Sequence, residues 1–154
     1  MRMAIGGDSV CHLIETITDH IEAKGIELVR CGALAGREAD YVDSSREVAE
    51  LVASGQCDQG LLFCNTGTGA TIIANKVPGV RAALCVEAFA ASVARLANNA
   101  NVLVLSIFST SEYHAREIVD VWLATGPSEE PRRVTFHRKT DELDAHYRKR
   151  PSER

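Results

Sequence analysis

Short runs of apolar residues alternate along this chain with longer amphipathic stretches, and that alternation is the feature that most restricts its fold. Five runs have the length of strands; they cover residues 2–6, 26–31, 60–64, 80–85 and 101–108. The stretches between them place apolar residues at helical spacing, as in Leu13, Ile14, Ile17 and Ile21. Because the runs are apolar throughout, the strands are predicted to lie in a parallel sheet covered by helices on both faces.

The predicted helices separate and follow these strands. They cover residues 10–25, 69–76, 87–99, 111–126 and about 134–148, and one more is predicted to begin at a capping box formed by Ser44 and Glu47. The whole pattern predicts an α/β protein with three α/β/α layers and a Rossmann-like five-stranded parallel sheet. This domain covers residues 1–126, and a charged helical tail covers residues 127–154.

Composition and charge narrow the classes of function. The chain has 154 residues, of which 45% are hydrophobic and 25% charged, so it suits a single globular domain. It has no apolar run long enough for a transmembrane helix and no secretory signal, so a cytoplasmic location without membrane contact is expected. The net charge of −4 argues against nucleic-acid binding. Five cysteines without zinc-ligand spacing predict free thiols and no metal site.

The stretch CNTGTG, residues 64–69, follows the third predicted strand and precedes a predicted helix. Glycines allow the backbone to turn sharply, and amides at the start of a helix carry partial positive charge. Such a loop can bind a phosphate or stabilise an oxyanion, and the same field favours the thiolate form of Cys64. On these residues alone, a tight turn beside an inert buried thiol is an equally good interpretation.

Asp8 ends the first predicted strand, two or three residues before a predicted helix. It is either the N-cap of that helix or a carboxylate that binds sugar hydroxyls, and the two roles are compatible. Tyr41 is predicted in the loop before the third strand. The five histidines fall in helices or in the tail, which favours surface or packing roles, although His137 lies among arginines.

The stretch GLLFCNTGTGATIIANKVPGVRAALC, residues 60–85, resembles the signature of the ribose-5-phosphate isomerase type B and galactose-6-phosphate isomerase family. The opening MRMAIGGDS resembles the family's first strand, which ends in an aspartate. ANNANVLVLS resembles its fifth strand, and IVDVWL resembles the helix that follows. The similarity covers roughly residues 1–126, and the tail is similar more loosely.

This resemblance implies a homodimer or a homotetramer whose active sites are shared between subunits. The implied reaction is the aldose–ketose isomerisation of a sugar phosphate, without a metal or an organic cofactor. A base removes a proton from the carbon beside the carbonyl and returns it to the neighbouring carbon, through a cis-enediolate. The backbone of residues 65–69 would stabilise the negative oxygen of that intermediate.

The resemblance also assigns roles by position. Cys64 corresponds to the catalytic base, because the glutamate used by a second type of the family falls at Ala70 here. Asp8 corresponds to a carboxylate that binds substrate hydroxyls, and Thr66 to a threonine that contacts substrate oxygens. Cys64, Thr66 and Asp8 are therefore the implied catalytic residues. The implied substrate-binding residues are Ser9, Tyr41, Asn65, Gly67, Thr68, Gly69, Asn98, Arg132 and Arg133.

Four positions depart from the family pattern. Ser9 replaces a histidine, Ala97 replaces the histidine credited with opening the sugar ring, and Phe108 replaces a phosphate-binding arginine. In the tail, the motif that binds phosphate continues to Phe136 instead of to a second arginine, so that His137 or Arg138 would have to replace it. The loss of these arginines leaves open a smaller anion or an unphosphorylated sugar.

The departures lead to a hypothesis about the substrate. Opening a cyclic aldose requires acid–base assistance, which alanine cannot give. A tetrose 4-phosphate cannot form the five-membered ring, so a tetrose or tetrulose phosphate is the expected substrate. The alternative is a non-catalytic sugar-phosphate-binding homologue, or the partner subunit of a hetero-oligomeric isomerase. A nucleotide-binding domain is disfavoured, because its glycine-loop and ribose-binding signatures are not found.

Overall fold

A computed structural model describes residues 1–148, and its centre is a parallel sheet of five strands. The strands are β1 (Arg2–Gly7), β2 (Glu27–Gly32), β3 (Gln59–Cys64), β4 (Ala82–Leu84) and β5 (Val102–Ser106). Their order is β2-β1-β3-β5-β4. After the edge strand β2, the chain therefore passes over β1 and adds β3 on the other side of β1. The predicted three-layer fold with a parallel sheet is confirmed. The predicted runs at β4 and β5 were too long, because their outer residues lie in the connecting loops.

Six α-helices and one 3₁₀ turn connect and follow the strands. The helices are α1 (His12–Glu22), α2 (Tyr41–Ala53), α3 (Thr68–Ala74), α4 (Ala88–Asn98), α5 (Glu112–Ala124) and α6 (Pro131–Arg148), and the 3₁₀ turn covers Ala33–Ala35. Helix α6 begins three residues earlier than predicted, since proline is well suited to the first helical position. Within residues 1–148, none of the helices has the length and apolar character needed to span a bilayer.

The sheet separates two apolar layers. Side chains of β1 point alternately to its two faces, so that Met3 and Ile5 pack with α1 and α5 whereas Ala4 packs with α2. Trp122 of α5 is fully buried in the larger layer, and its indole N–H donates to Oε1 of Gln59 at 2.6 Å. This satisfied donor lets the chain bury its largest side chain without an unpaired polar atom. The two layers hold the sheet rigid below its loops.

The beginning of α2 corrects two predictions. Asp40 caps this helix, because its Oδ1 accepts the N–H of Asp43 at 2.9 Å. Ser44 therefore lies inside the helix, where its hydroxyl lies 3.0 Å from the carbonyl oxygen of Gly7 and 2.7 Å from that of Asp40. The predicted capping box was wrong because a better cap lies four residues upstream. Consequently Tyr41 is the first residue of α2 and not part of a loop.

The described part of the charged tail, helix α6, contacts its own chain. Asp144 accepts the backbone N–H of Gly79 at 2.7 Å, and Asp141 forms an ion pair with Arg81 at 3.1 Å. His137 Nε2 lies 2.9 Å from the carbonyl oxygen of Ala97. These bonds fix α6 beside the C-terminal end of α4. Residues 149–154 of the predicted tail lie outside the described residues.

Candidate active site

The carboxyl ends of β1, β3 and β5 bring two predicted catalytic residues together. Gly6 of β1 is paired with Leu62 of β3, and Asp8 directly follows β1 whereas Cys64 ends β3, so both residues lie at the carboxyl ends of neighbouring strands. On the other side of β3, Cys64 is paired with Ser106. Cys64 is 7% exposed, so its thiol lies at the base of the loops and not on the outer surface. We call Asp8, Ser9, Tyr41 and residues 64–69 the strand-end cluster.

Two glycines shape the loop after Cys64. Gly67 has a φ of +81°, and a Cβ at this position would lie 2.4 Å from Cδ1 of Leu84. A Cβ on Gly69 would lie 2.9 Å from Cε2 of Tyr41. The first glycine is therefore required by backbone conformation and by space, and the second by the close approach of an aromatic ring. This approach brings Tyr41 into the strand-end cluster, as the sequence-based role requires.

The loop after Cys64 has backbone N–H groups without a hydrogen-bond acceptor in the described part of the chain. Within residues 1–148, the amides of residues 65–69 donate to no acceptor, whereas the carbonyls of Cys64, Asn65 and Gly67 accept hydrogen bonds. The carbonyl oxygen of Asn65 accepts the N–H of Phe108 at 3.1 Å and the hydroxyl of Ser106 at 2.8 Å. The side-chain hydroxyls of Thr66 and Thr68 lie 2.8 Å apart. Such a row of free N–H groups and hydroxyls can stabilise a negative oxygen.

The carboxylate of Asp8 is also available. Helix α1 has Cys11 as its N-cap, so the alternative that Asp8 caps this helix was wrong. Asp8 is half-buried, and it forms no hydrogen bond or ion pair with any other residue in the described part of the chain. A carboxylate in this position can accept hydrogen bonds from hydroxyl groups of a bound polyol.

The three remaining predicted residues form a second group, which we call the tail cluster: Asn98, Arg132 and Arg133. They line a cavity of about 330 Å³ together with Ala97, Glu130 and Phe136. An adjoining cavity of about 470 Å³ is lined by Asn98, His137 and Arg81, among others. Glu130 was not among the residues predicted for a site, and Phe136 was predicted only as a departure from the phosphate motif. Glu130 lies three residues before Arg133, directly before the start of α6, and this spacing is the signal that could have identified it.

Within one chain, the strand-end cluster lies at the carboxyl ends of the strands and the tail cluster lies near their amino ends. Asn98 ends α4, just before β5 begins at Val102, whereas Cys64 is level with Ser106 at the end of β5. Five residues of strand separate these levels, a distance of about 15 Å. A single chain therefore does not bring the strand-end cluster and the tail cluster into one site.

Three of the other cysteines, Cys31, Cys57 and Cys85, are buried thiols. Burial raises the pKa of the Cys31 thiol to about 12 and that of Cys85 to about 11. Burial also raises the pKa of Cys57. These thiols are protonated at neutral pH and are part of the apolar core. Residues 1–148 contain no group of three or more His, Cys, Asp or Glu side chains placed to hold a metal ion.

Comparison with known proteins decides the family. The family model described as Ribose/Galactose Isomerase matches residues 3–139. The chain belongs to this family. Its fold is similar to that of ribose-5-phosphate isomerase B from Clostridium thermocellum, with a TM-score of 0.88, 37% identity, and coverage of 96% of this chain and 99% of that one. The resemblance seen in the sequence is thereby confirmed.

Two curated relatives extend the comparison to four-carbon sugars. The D-erythrulose-4-phosphate isomerase of Pectobacterium atrosepticum is 37% identical over 80% of this chain and 82% of its own length. The 4-deoxy-4-sulfo-D-erythrose isomerase of a Clostridium species is 32% identical over 84% of this chain and 82% of its own length. The ribose/galactose isomerase family member described here is an enzyme of the aldose–ketose isomerase class.

Proposed function

We propose that this isomerase converts a four-carbon aldose phosphate and its ketose into each other, without a cofactor, in an active site shared by two subunits of a homodimer or homotetramer. The observation that carries the proposal is that Asp8 and Cys64 both lie at the carboxyl ends of the neighbouring strands β1 and β3, next to a loop with free amides. Base, hydroxyl acceptor and oxyanion donors are thus available within one cluster.

In the proposed reaction, the thiolate of Cys64 takes a proton from the carbon beside the substrate carbonyl. The electron pair of that C–H bond forms the carbon–carbon double bond of a cis-enediolate, and the former carbonyl oxygen becomes negative. The amides of residues 65–69 and the hydroxyl of Thr66 stabilise this oxygen. The Cys64 thiol then returns the proton to the neighbouring carbon, while a proton moves between the two oxygens, so that carbonyl and hydroxyl exchange places.

The remaining predicted residues bind the substrate. Ser9, Tyr41 and the loop residues Asn65, Gly67, Thr68 and Gly69 contact its hydroxyl groups from the same subunit as Cys64. Asn98, Arg132 and Arg133 come from the second subunit and hold the terminal phosphate. The separation of the two clusters within one chain supports this division, because it requires a second copy to complete the site. In the same proposal the charged tail, residues 127–154, packs on the partner, and the enzyme acts in the cytoplasm.

The proposed chain length of the sugar rests on Ala97. This residue lines the same cavity as the tail cluster but offers no acid or base for ring opening. A tetrose 4-phosphate is open-chain because its terminal oxygen carries the phosphate, so it needs no such group. Two relatives named for four-carbon substrates support the proposal that members of this family can act on a sugar of this length.

The test is solvent-deuterium exchange during turnover. With D-erythrose 4-phosphate in deuterium oxide, we expect deuterium at the transferred position of D-erythrulose 4-phosphate, detected by NMR. Cys64→Ala should lower the rate by at least about 100-fold, as expected for the loss of a general base, while Cys11→Ala should not. Rapid conversion of ribose 5-phosphate with no conversion of either tetrose phosphate would contradict the proposed substrate.

A non-catalytic sugar-phosphate-binding protein, or an inactive subunit of a hetero-oligomer, is the second candidate. Ala97 and Phe108 favour it, since neither can supply the acid–base or charged group of the family pattern. Calorimetry separates the candidates. Heat of binding with no deuterium incorporation over a panel of four- to six-carbon sugar phosphates would establish binding without catalysis.

A further inference from the structure

Two donors from the end of β5 and the loop after it bind the carbonyl oxygen of Asn65. The backbone nitrogen of Phe108 lies 3.1 Å from this oxygen, and the hydroxyl oxygen of Ser106 lies 2.8 Å from it. A carbonyl oxygen has two lone pairs, so both are used here. The peptide unit between Asn65 and Thr66 is therefore held on its carbonyl side by two bonds, one of which comes from a side chain.

A second partner of Ser106 determines the direction of its hydroxyl group. The backbone N–H of Ser109 donates to Oγ of Ser106 at 3.2 Å. Because an N–H only donates and a carbonyl only accepts, the single hydroxyl proton of Ser106 is directed at Asn65. Ser106 is 2% exposed, so solvent has little access to this hydroxyl. A chain of hydrogen bonds thus runs from the N–H of Ser109 through the Ser106 hydroxyl to the carbonyl of Asn65.

The free N–H of Thr66 lies at the other end of this chain. In a trans peptide unit, the N–H points in the direction opposite to the carbonyl. Since the carbonyl of Asn65 points to the loop after β5, the N–H of Thr66 points away from that loop. The carbonyl of Cys64 accepts the N–H of Ile107 at 2.9 Å, which turns the N–H of Asn65 in the same way. Two successive N–H groups therefore leave the chain on one side, an arrangement that binds anions.

The hydrogen-bond chain strengthens this donor in addition to aiming it. Each hydrogen bond in such a chain polarises the next one. Electron density drawn to the Asn65 oxygen leaves the Thr66 N–H more positive. The gain is larger for a full negative charge, such as that of an enediolate, than for the neutral carbonyl of a bound sugar. An interaction of this kind raises kcat and changes KM little.

We propose that Ser106 is a positioning residue of the isomerase: its buried hydroxyl fixes and polarises the Asn65–Thr66 peptide, so that the N–H of Thr66 stabilises the negative oxygen of the enediolate. The inference rests on the proposed function and deepens it, because it assigns one stabilising donor within residues 65–69 and the side chain that controls it. Ser106 does not touch the substrate, and its proton stays on Oγ throughout the reaction.

Ser106→Ala is the decisive variant, since it removes the hydroxyl and leaves the backbone bonds of Ile107 and Phe108 in place. With D-erythrose 4-phosphate, kcat should fall by about ten-fold or more, while KM stays within about two-fold. Ser106→Thr retains a hydroxyl and should restore kcat to within about three-fold of the unchanged enzyme. A raised KM with an unchanged kcat in Ser106→Ala overturns the inference. A folded Ser106→Thr variant with the kinetics of Ser106→Ala also overturns it.

Thr18→Ala is the matched control. Thr18 is buried in the middle of α1, where its hydroxyl donates to the carbonyl of Ile14 at 2.7 Å. Its removal deletes a buried hydroxyl-to-carbonyl bond away from the strand ends, so kcat and KM should not change. The melting temperatures of both variants show whether they fold. An equal fall of kcat in Thr18→Ala and Ser106→Ala would assign the effect to a general loss of stability and overturn the inference.

A transition-state analogue separates failure of this inference from failure of the proposed function. In 3-phospho-D-glycerohydroxamate, a planar hydroxamate takes the place of the enediolate of a four-carbon substrate, whereas D-erythritol 4-phosphate has no carbonyl group. In calorimetry, Ser106→Ala should raise the dissociation constant of the hydroxamate by about ten-fold or more and leave that of the erythritol phosphate within about two-fold.

If the unchanged enzyme converts no sugar phosphate, the proposed function fails, and the two dissociation constants decide the inference. Selective loss of hydroxamate affinity in Ser106→Ala supports it. Equal changes for both compounds, or no binding of the hydroxamate to the unchanged enzyme, overturn it.

Discussion

Gly69 lies against the ring of Tyr41, so closely that a Cβ on the glycine would be 2.9 Å from Cε2. The loop after β3 and the first turn of α2 are therefore fitted to each other, although 28 residues separate them in the sequence. The contact makes the aromatic ring one wall of the proposed active site. Because Gly69 faces the Tyr41 ring and Gly67 faces Leu84, alanine at these two positions should have different effects on catalysis and on stability.

Gly69→Ala should affect catalysis more than stability. The exposed ring of Tyr41 can swing away from the new methyl group, at a cost of less than about 1 kcal/mol in the free energy of unfolding, but it then leaves the substrate. Kinetics should show a raised KM. In a Tyr41→Ala background the same substitution should raise KM much less, and an equal increase in both backgrounds would disprove the contact's role.

Gly67→Ala should instead destabilise the fold. Its φ of +81° and the side chain of Leu84 at 2.4 Å both oppose a Cβ, and the combined penalty should reach about 2 kcal/mol or more. Urea unfolding of the two alanine variants measures this directly. A smaller loss of stability for Gly67→Ala than for Gly69→Ala would show that the loop backbone differs from the one described.

Mixing two inactive variants should restore activity if the site is shared. Cys64→Ala disables the strand-end cluster and Arg132→Ala the tail cluster. Random exchange of subunits makes about half of the dimers mixed, and each of these has one intact site out of two, so about a quarter of the full activity should return. Activity that stays at the sum of the two parent variants would place both residues in a site within one chain.

Alkylation should distinguish the five thiols, all of which are free. Because burial raises the pKa of Cys31 to about 12 and of Cys85 to about 11, both stay protonated and covered at about pH 8.5. Iodoacetamide should modify the half-buried Cys11 in the folded protein and leave these two unmodified, as mass spectrometry of the peptides can show. Denaturant should expose all five. Protection of Cys64 by substrate would add support for its catalytic role.

Asp120→Asn should lower stability at neutral pH but not in acid. Burial alone would raise the pKa of Asp120, but hydrogen bonds from Lys24 and His20 lower it below its usual range. The folded chain thus favours the carboxylate, and the resulting stability is present above the ordinary carboxyl pKa and is lost as the pH falls through the lowered value. We expect a difference of about 0.5–1 kcal/mol at pH 7 by urea unfolding, which disappears near pH 3.

The strands were predictable because their signal is strong and local. Each strand of a sheet buried on both faces is an apolar run, and the order of strands and helices leaves few arrangements. The start of α2 was not predictable from its best-looking motif, since Asp40 and Ser44 both have the chemistry of a cap. Only tertiary contacts decide between them, because the Ser44 hydroxyl bonds to the carbonyl of Gly7 in the neighbouring strand.

The sequence predicts residues for a site, and their roles stay predictions; which of them the fold groups together could not be predicted from the sequence. The separation of Asn98 from Cys64 follows from the direction in which α4 returns to the start of β5, which requires the sheet to be known. The pairing of Arg133 with Glu130 depends on side-chain positions on a surface helix, where sequence patterns constrain little.

The loop after β5 supports the loop after β3 through main-chain atoms. The N–H groups of Ile107 and Phe108 bind the carbonyls of Cys64 and Asn65, and the side chain of Phe108 takes no part and is 73% exposed. A substitution at residue 108 therefore leaves both main-chain bonds in place. The backbone beside Cys64 and the outer surface of this loop can change independently of each other.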